Sequence, residues 1–203
     1  MLLSEISPLS KRSELPSLSR RLTYDIPEAS GDVLQVAAYL GDKRGNSRVY
    51  LITPSDKGES TSSFVYQLAL SLVQVEAKPV LIVALNEQSS FKTDHTIDID
   101  QFQPGSKVPV VVASPFKSSA ILSSQEYAAF LEKARDHFSF ILIDAPSVSK
   151  SVPGLLIAPH CNGVILTAIK DKTLRRDAQI NVKKLQQIGA QMMGFVLLEE
   201  QVP

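Results

Sequence analysis

The chain has 203 residues, 44% hydrophobic and 21% charged. That suffices for a buried core in one domain and is too aliphatic for a wholly disordered chain. Its 21 lysines and arginines balance 21 aspartates and glutamates, which excludes a dominant non-specific nucleic-acid or anionic-membrane binder, since such binders need surplus positive charge.

Residues 1–30 read as a flexible N-terminal arm. Serines and prolines recur around the basic pairs Lys11-Arg12 and Arg20-Arg21, and such a segment buries too little apolar area to offset its ordering entropy. A sharper reading is a docking arm whose basic pairs and leucines Leu15, Leu18 and Leu22 engage a partner. Residues 1–5 lack the charged and apolar regions of a signal peptide, and no apolar run approaches the roughly 18–20 residues of a membrane span. The expectation is a cytoplasmic chain.

The folded domain is expected over residues 31–203. Val33, Leu34, Val36, Ala37 and Leu40 recur at helical spacing, and Gly41 stops that helix. A buried strand at 49–53, a polar loop at 54–60 and a helix at 62–75 follow, the helix presenting Phe64, Leu68, Leu72 and Val75 on one face. Strands are expected at 80–85 and 108–113, separated by a polar stretch. The spacing predicts a helix over 123–137, with Ser124 as N-cap and Tyr127, Phe130, Leu131 and Ala134 as its apolar face. A fourth strand at 138–143 runs into Asp144-Ala145-Pro146. A short helix or turn at 154–158, a strand at 164–169, a helix at 174–188 closed by Gly189, and a strand at 193–198 complete the order. Continuous aliphatic strands with helices between them belong to a parallel sheet covered on both faces. The fold class is therefore α/β: a three-layer, doubly wound, mostly parallel sheet.

In such a sheet, ligands sit where strand ends lead into helix N-termini. The first such loop, residues 53–63, has the place of a P-loop. A working P-loop needs glycines for close backbone approach to phosphate, a lysine for the β/γ oxygens and a hydroxyl for Mg²⁺. This loop offers Gly58 and Ser62, but Ser60 and Thr61 stand where glycine and lysine are needed.

Four segments carry a resemblance. They are Gly58-Glu59-Ser60-Thr61-Ser62-Ser63 with Leu68-Ala69 behind it, Val83-Ala84-Leu85-Asn86, Ile143-Asp144-Ala145-Pro146, and Gly163-Val164-Ile165-Leu166 followed by Thr173 and Gly194-Phe195-Val196-Leu197. In this order they resemble the cytoplasmic domain of the bacterial tyrosine autokinases of capsule and exopolysaccharide assembly, which are deviant-Walker P-loop ATPases. The resemblance implies a P-loop NTPase-like fold. The family's first motif, G-E-G-K-S-T, falls over residues 58–63. Its second, an apolar strand ending D-A-D, meets Ala84 and Asn86 in place of the aspartates. Its third, ending D-x-P-P, keeps Asp144. The family's tyrosine-rich tail is absent, the five tyrosines being dispersed. The family's arginine-bearing assembly helix is expected near 31–40, which contains no arginine; homo-oligomerisation is left open.

Phosphoryl transfer is mostly positioning and charge stabilisation. Losing one well-placed electrostatic group costs ~3–4 kcal/mol at the transition state, or ~10²–10³ in rate. With the lysine and both aspartates replaced, no catalytic residue is expected. Lys57, Gly58, Glu59, Ser60, Thr61, Ser62, Ser63 and Asp144 form a vestigial nucleotide-binding set. No cofactor is expected, and Mg-ATP or Mg-ADP should bind weakly at best. No metal site is expected either, Ser62 and Asp144 becoming ligands only if a magnesium–nucleotide binds. Lys57 as a substitute for the lost lysine competes with the plainer reading of a solvated loop lysine. Asp144 reads either as a magnesium-water ligand or as a strand-end carboxylate that caps nearby N–H groups.

The resemblance implies a catalytically degenerate interaction or regulatory subunit of a capsule, holdfast or exopolysaccharide system. Its partner would be the cytoplasmic end of an inner-membrane chain-length or export protein, or another kinase-like domain, giving peripheral placement at that membrane; no nucleic acid is expected. The alternatives are a residual ATP-binding kinase or ATPase built on Lys57, Ser62 and Asp144, and a positioning or partitioning ATPase-like protein.

Other candidates read more simply as structure. The single Cys161 is a small residue before a buried strand, and it excludes a disulfide framework or a cysteine-cluster metal site. Asp94, His95, Asp98 and Asp100 read as a solvated acidic loop. Lys170, Lys172, Arg175 and Arg176 read as a solvated helix start, or as a partner-facing basic patch.

Overall fold

The computed structural model describes residues 31–41, 48–56, 61–76, 79–85, 110–113 and 123–199. The arm at 1–30, the acidic stretch 94–100, and Lys57, Gly58, Glu59 and Ser60 lie outside the described residues.

Helix α1 (Gly31–Gly41) leads to strand β1 (Arg48–Pro54), helix α2 (Ser62–Glu76), β2 (Val80–Ala84) and β3 (Val110–Ala113). Then come α3 (Ser124–Arg135), β4 (Phe140–Asp144), the short α4 (Val152–Ile157) with a 3-10 turn (Ala158–His160), β5 (Gly163–Ile169), α5 (Arg175–Gln187) and β6 (Met192–Leu198). The six described strands form one sheet in the order β3-β2-β4-β1-β5-β6. The expectation of a mostly parallel sheet sharpens here: each of the five strand pairs is parallel. Parallel neighbours need crossovers, and those helices cover both faces.

Alternation along each strand builds two cores. Val49, Leu51, Leu81, Val83, Ile141, Ile143, Val164 and Leu166 face a layer holding Tyr127, Leu131, Ile157 and Leu185 of α3, α4 and α5. Tyr50, Ile52, Val80, Ile82, Ala84, Phe140, Leu142 and Ile165 face Ala37 and Leu40 of α1 and Leu68 and Leu72 of α2. Strands buried on both sides must be continuously apolar, which is why they are legible as aliphatic runs.

Polar side chains fasten the helix ends. Arg48, the first residue of β1, donates to the carbonyls of Leu40 (3.1 Å) and Gly41 (2.6 Å). These are orphan carbonyls at the C-terminus of α1, where a cation also suits the helix dipole. The same guanidinium lies 4.6 Å from the Phe140 ring centre. Asn162 extends the β5 ladder: its N–H donates to Val49 O and its Oδ1 accepts from Val49 N, both at 2.8 Å.

The predicted N-cap of α3 shifts by one residue. Ser123, not Ser124, caps the helix; its hydroxyl accepts from Glu126 N while the Glu126 carboxylate accepts from Ser123 N (2.7 Å). This is a capping box, and those hydrogen bonds hold the Glu126 carboxyl below its ordinary range. Gly189, expected to close α5, has φ +80°, a conformation natural to glycine.

Candidate functional site

The described end of the loop at 53–63 is built where β4 and α2 meet. Asp144 is the last residue of β4, and its side chain falls on the α2 face of the sheet by the same alternation that places Phe140 and Leu142 there. It pairs in register with Ile52 of β1 on one side and Ala84 of β2 on the other. Ala84 is the position at which the resemblance expects the first aspartate of the second motif. The structure puts that position directly beside Asp144 and fills it with a buried methyl.

Two hydroxyls from the start of α2 close on Asp144. Thr61 Oγ1 donates to Asp144 Oδ1, and Ser62 Oγ donates to Asp144 Oδ2 at 2.6 Å. Thr61 stands at the N-cap of α2, since its carbonyl accepts from Val65 N at 2.9 Å. All three side chains are fully buried. Burial raises the Asp144 carboxyl above its ordinary range, and the Ser62 and Thr61 donors oppose that rise without cancelling it. The arrangement is a clasp: one carboxyl group binds two hydroxyls and pins the start of α2 to the end of β4. The expectation that Asp144 would cap N–H groups is corrected in its detail, because the partners are side-chain hydroxyls. Ser63, the next residue, is exposed.

Around the clasp, Thr53 Oγ1 donates to Pro146 O at 3.0 Å, tying the end of β1 to the turn after β4. On the far side, Ser55 N donates to Thr167 O (2.8 Å), and Asn181 of α5 donates to Ser55 O (2.7 Å). Ser55, Thr167 and Asn181 are each buried, and Ser55 Oγ, Thr167 Oγ1 and Asn181 Oδ1 have no hydrogen-bond partner among the described residues.

No protein-family model matches the chain. Single proteins do. The tyrosine-protein kinase CpsD of Streptococcus agalactiae is 27% identical over 171 residues, 74% of this chain and 75% of that protein. The tyrosine-protein kinase ptk of Acinetobacter johnsonii is 28% identical over 220 residues, covering 96% of this chain and 29% of that longer protein. Among solved structures, the kinase domain of the Escherichia coli tyrosine kinase ETK superimposes with a TM-score of 0.64 over 83% of this chain and 74% of that one, at 16% identity. The chain is a relative of the bacterial tyrosine kinases. The fold of this kinase relative is P-loop NTPase-like, as the resemblance implied.

Within the kinase relative, the structure brings Thr61, Ser62 and Asp144 together and leaves Ser63 facing outward. Sequence reasoning passed over Ser55, Thr167 and Asn181. A signal existed for Asn181: it stands among Ala178, Val182 and Leu185 at the spacing of an inward helix face, where a polar residue signals a buried hydrogen bond. Of the other candidates, Cys161 and the basic residues near α5 are described. Cys161 is largely buried, donates to Ile157 O at 3.4 Å, and has its thiol pushed up to about 12 by burial, which makes it a poor nucleophile. Lys170, Lys172, Arg175 and Arg176 are exposed around the start of α5. Among the described residues, no group of three or more His, Cys, Asp or Glu could hold a metal ion, and no helix is long and apolar enough to cross a membrane.

Proposed function

We propose that the chain is a catalytically degenerate relative of the tyrosine autokinases, acting as an interaction or regulatory subunit in capsule, holdfast or exopolysaccharide biosynthesis and export. The observation that carries this reading is the Thr61–Asp144 contact. A serine beside a strand-end carboxylate, as Ser62 and Asp144 are, suits a magnesium ion; the contact of Thr61 does not. In the motif reading Thr61 stands at the kinases' lysine, and its neutral hydroxyl is turned to the second carboxylate oxygen of Asp144. With Ala84 beside Asp144, the described residues supply neither the cation nor the second carboxylate that a magnesium–triphosphate needs. They do not fit that group, and no phosphoryl-transfer step is derived through it.

The partner that this reading implies is the cytoplasmic end of an inner-membrane chain-length or export protein, or another kinase-like domain. The chain would then be cytoplasmic, held at the membrane by that partner. Mg-ATP titration with an autophosphorylation assay tests the reading. Dissociation weaker than millimolar with no phosphotyrosine is expected. Tight binding or turnover that is lost on Asp144→Asn would instead establish a residual kinase or ATPase. Recovery of a polysaccharide-export protein with the tagged chain from its own cells would support the assignment to that system.

A further inference from the structure

Strand β6 ends the sheet, and its outer backbone row has no strand neighbour among the described residues. Natural proteins blunt such edges with charges, prolines or short strands. Strand β6, Met192-Met193-Gly194-Phe195-Val196-Leu197-Leu198, has seven residues, none charged and none proline. Phe195 and Leu197 are 55% and 63% exposed. Beside it runs a groove of about 390 Å³, walled by Gln35, Val36 and Tyr39 of α1 and by Met193 and Val196 of β6. At Gly194, whose φ is +151°, a Cβ would meet nothing within 4 Å, so the face of β6 is open at that point.

We infer that this edge is covered by the chain's own residues 22–26, added as a further parallel strand. Leu22-Thr23-Tyr24-Asp25-Ile26 alternates apolar and polar residues in strand fashion, and Pro27 ends the run. The tether is short enough to hold it there. Gly31 begins α1, and Gln35 of the groove wall lies one turn on, about 6 Å along the axis. The five residues from Ile26 to Gly31 span at most about 17 Å.

Handedness agrees. The crossover from β1 through α2 to β2 runs toward the β3 edge on the α1/α2 face. The crossover from β5 through α5 to β6 runs the opposite way on the opposite face. A strand outside β6 that returns through α1 to β1 runs toward the β3 edge on the α1/α2 face, the same hand as the other two. Parallel crossovers overwhelmingly keep one hand. The α1-facing side chains of such a strand would fill the groove.

Amide hydrogen exchange on the full chain and on the Leu22→Asp/Tyr24→Asp/Ile26→Asp variant tests this. The β6 amides that point away from β5 should exchange at least about tenfold faster in the variant, with β1 and β4 unchanged. Equal exchange in the two proteins overturns the proposal, as does protection that grows with protein concentration, which would mean that a second copy covers the edge. A nitroxide on Thr23→Cys gives a second readout should the triple variant not fold. It should broaden β6 and α1 resonances within one chain and spare β3. Unbroadened β6, or broadening seen only between labelled and unlabelled chains, overturns the proposal equally.

Discussion

Thr61 and Asp144 are 83 residues apart in sequence and joined by a hydrogen bond in the buried layer between α2 and the sheet. With Ser62 on the other carboxyl oxygen, Asp144 satisfies two buried hydroxyls. Asp144→Ala strands both and should cost about 2–4 kcal/mol, whereas Asp144→Asn keeps one oxygen acceptor and should cost about 1–2 kcal/mol. Urea midpoints at one pH check the order of the two.

The same carboxyl sets a pH dependence. Its folded-state pKa is raised by burial, so the folded chain holds the proton more tightly than the unfolded chain. The resulting stabilisation is fully present below the ordinary carboxylate range and is lost as pH rises through the folded value. Stability of the parent measured against Asp144→Asn should therefore fall as pH rises from about 4 toward neutrality. A difference that is flat, or that rises with pH, contradicts the burial of this group without a cation.

Arg48 joins α1 to the sheet through two carbonyls and one ring. Arg48→Ala should cost about 1–3 kcal/mol, and Arg48→Lys should recover only part of it: one guanidinium nitrogen meets both carbonyls, which an ammonium could do, but an ammonium has no planar group to lie over Phe140. Thermal unfolding of the two variants separates charge from shape.

Gly163 opens β5 beside the Met193 side chain, which a Cβ at 163 would overlap. Gly163→Ala should destabilise by about 1–3 kcal/mol through overpacking. Adding Met193→Ala frees that space, so the double variant should lose less than the sum of the two single losses. Strict additivity in a double-mutant cycle would show that the overlap relaxes elsewhere.

Much of this molecule is legible along the chain. The helix over 62–75, the strand at 80–85 and the Gly189 stop all follow from local rules, because a strand buried on two faces must be apolar throughout and a left-handed C-cap favours glycine. That Thr61, Ala84 and Asn86 stand at the motif positions of the resemblance is equally legible in the sequence. Ser123 and Ser124 show where local reading falters: both suit an N-cap, and only the return bond from Glu126 selects between them.

The sequence by itself determined most of the elements, their parallel arrangement and which residues stand at the motif positions of the resemblance, since propensity, burial pattern and motif spacing act over neighbouring residues. Only the tertiary structure decided what those residues touch. That Ala84 lies beside Asp144, that Thr61 and Ser62 share its two oxygens, and that Asn181 reaches Ser55 all depend on strand order and register. Those are set by packing across the whole sheet, and periodicity within one segment carries no record of them.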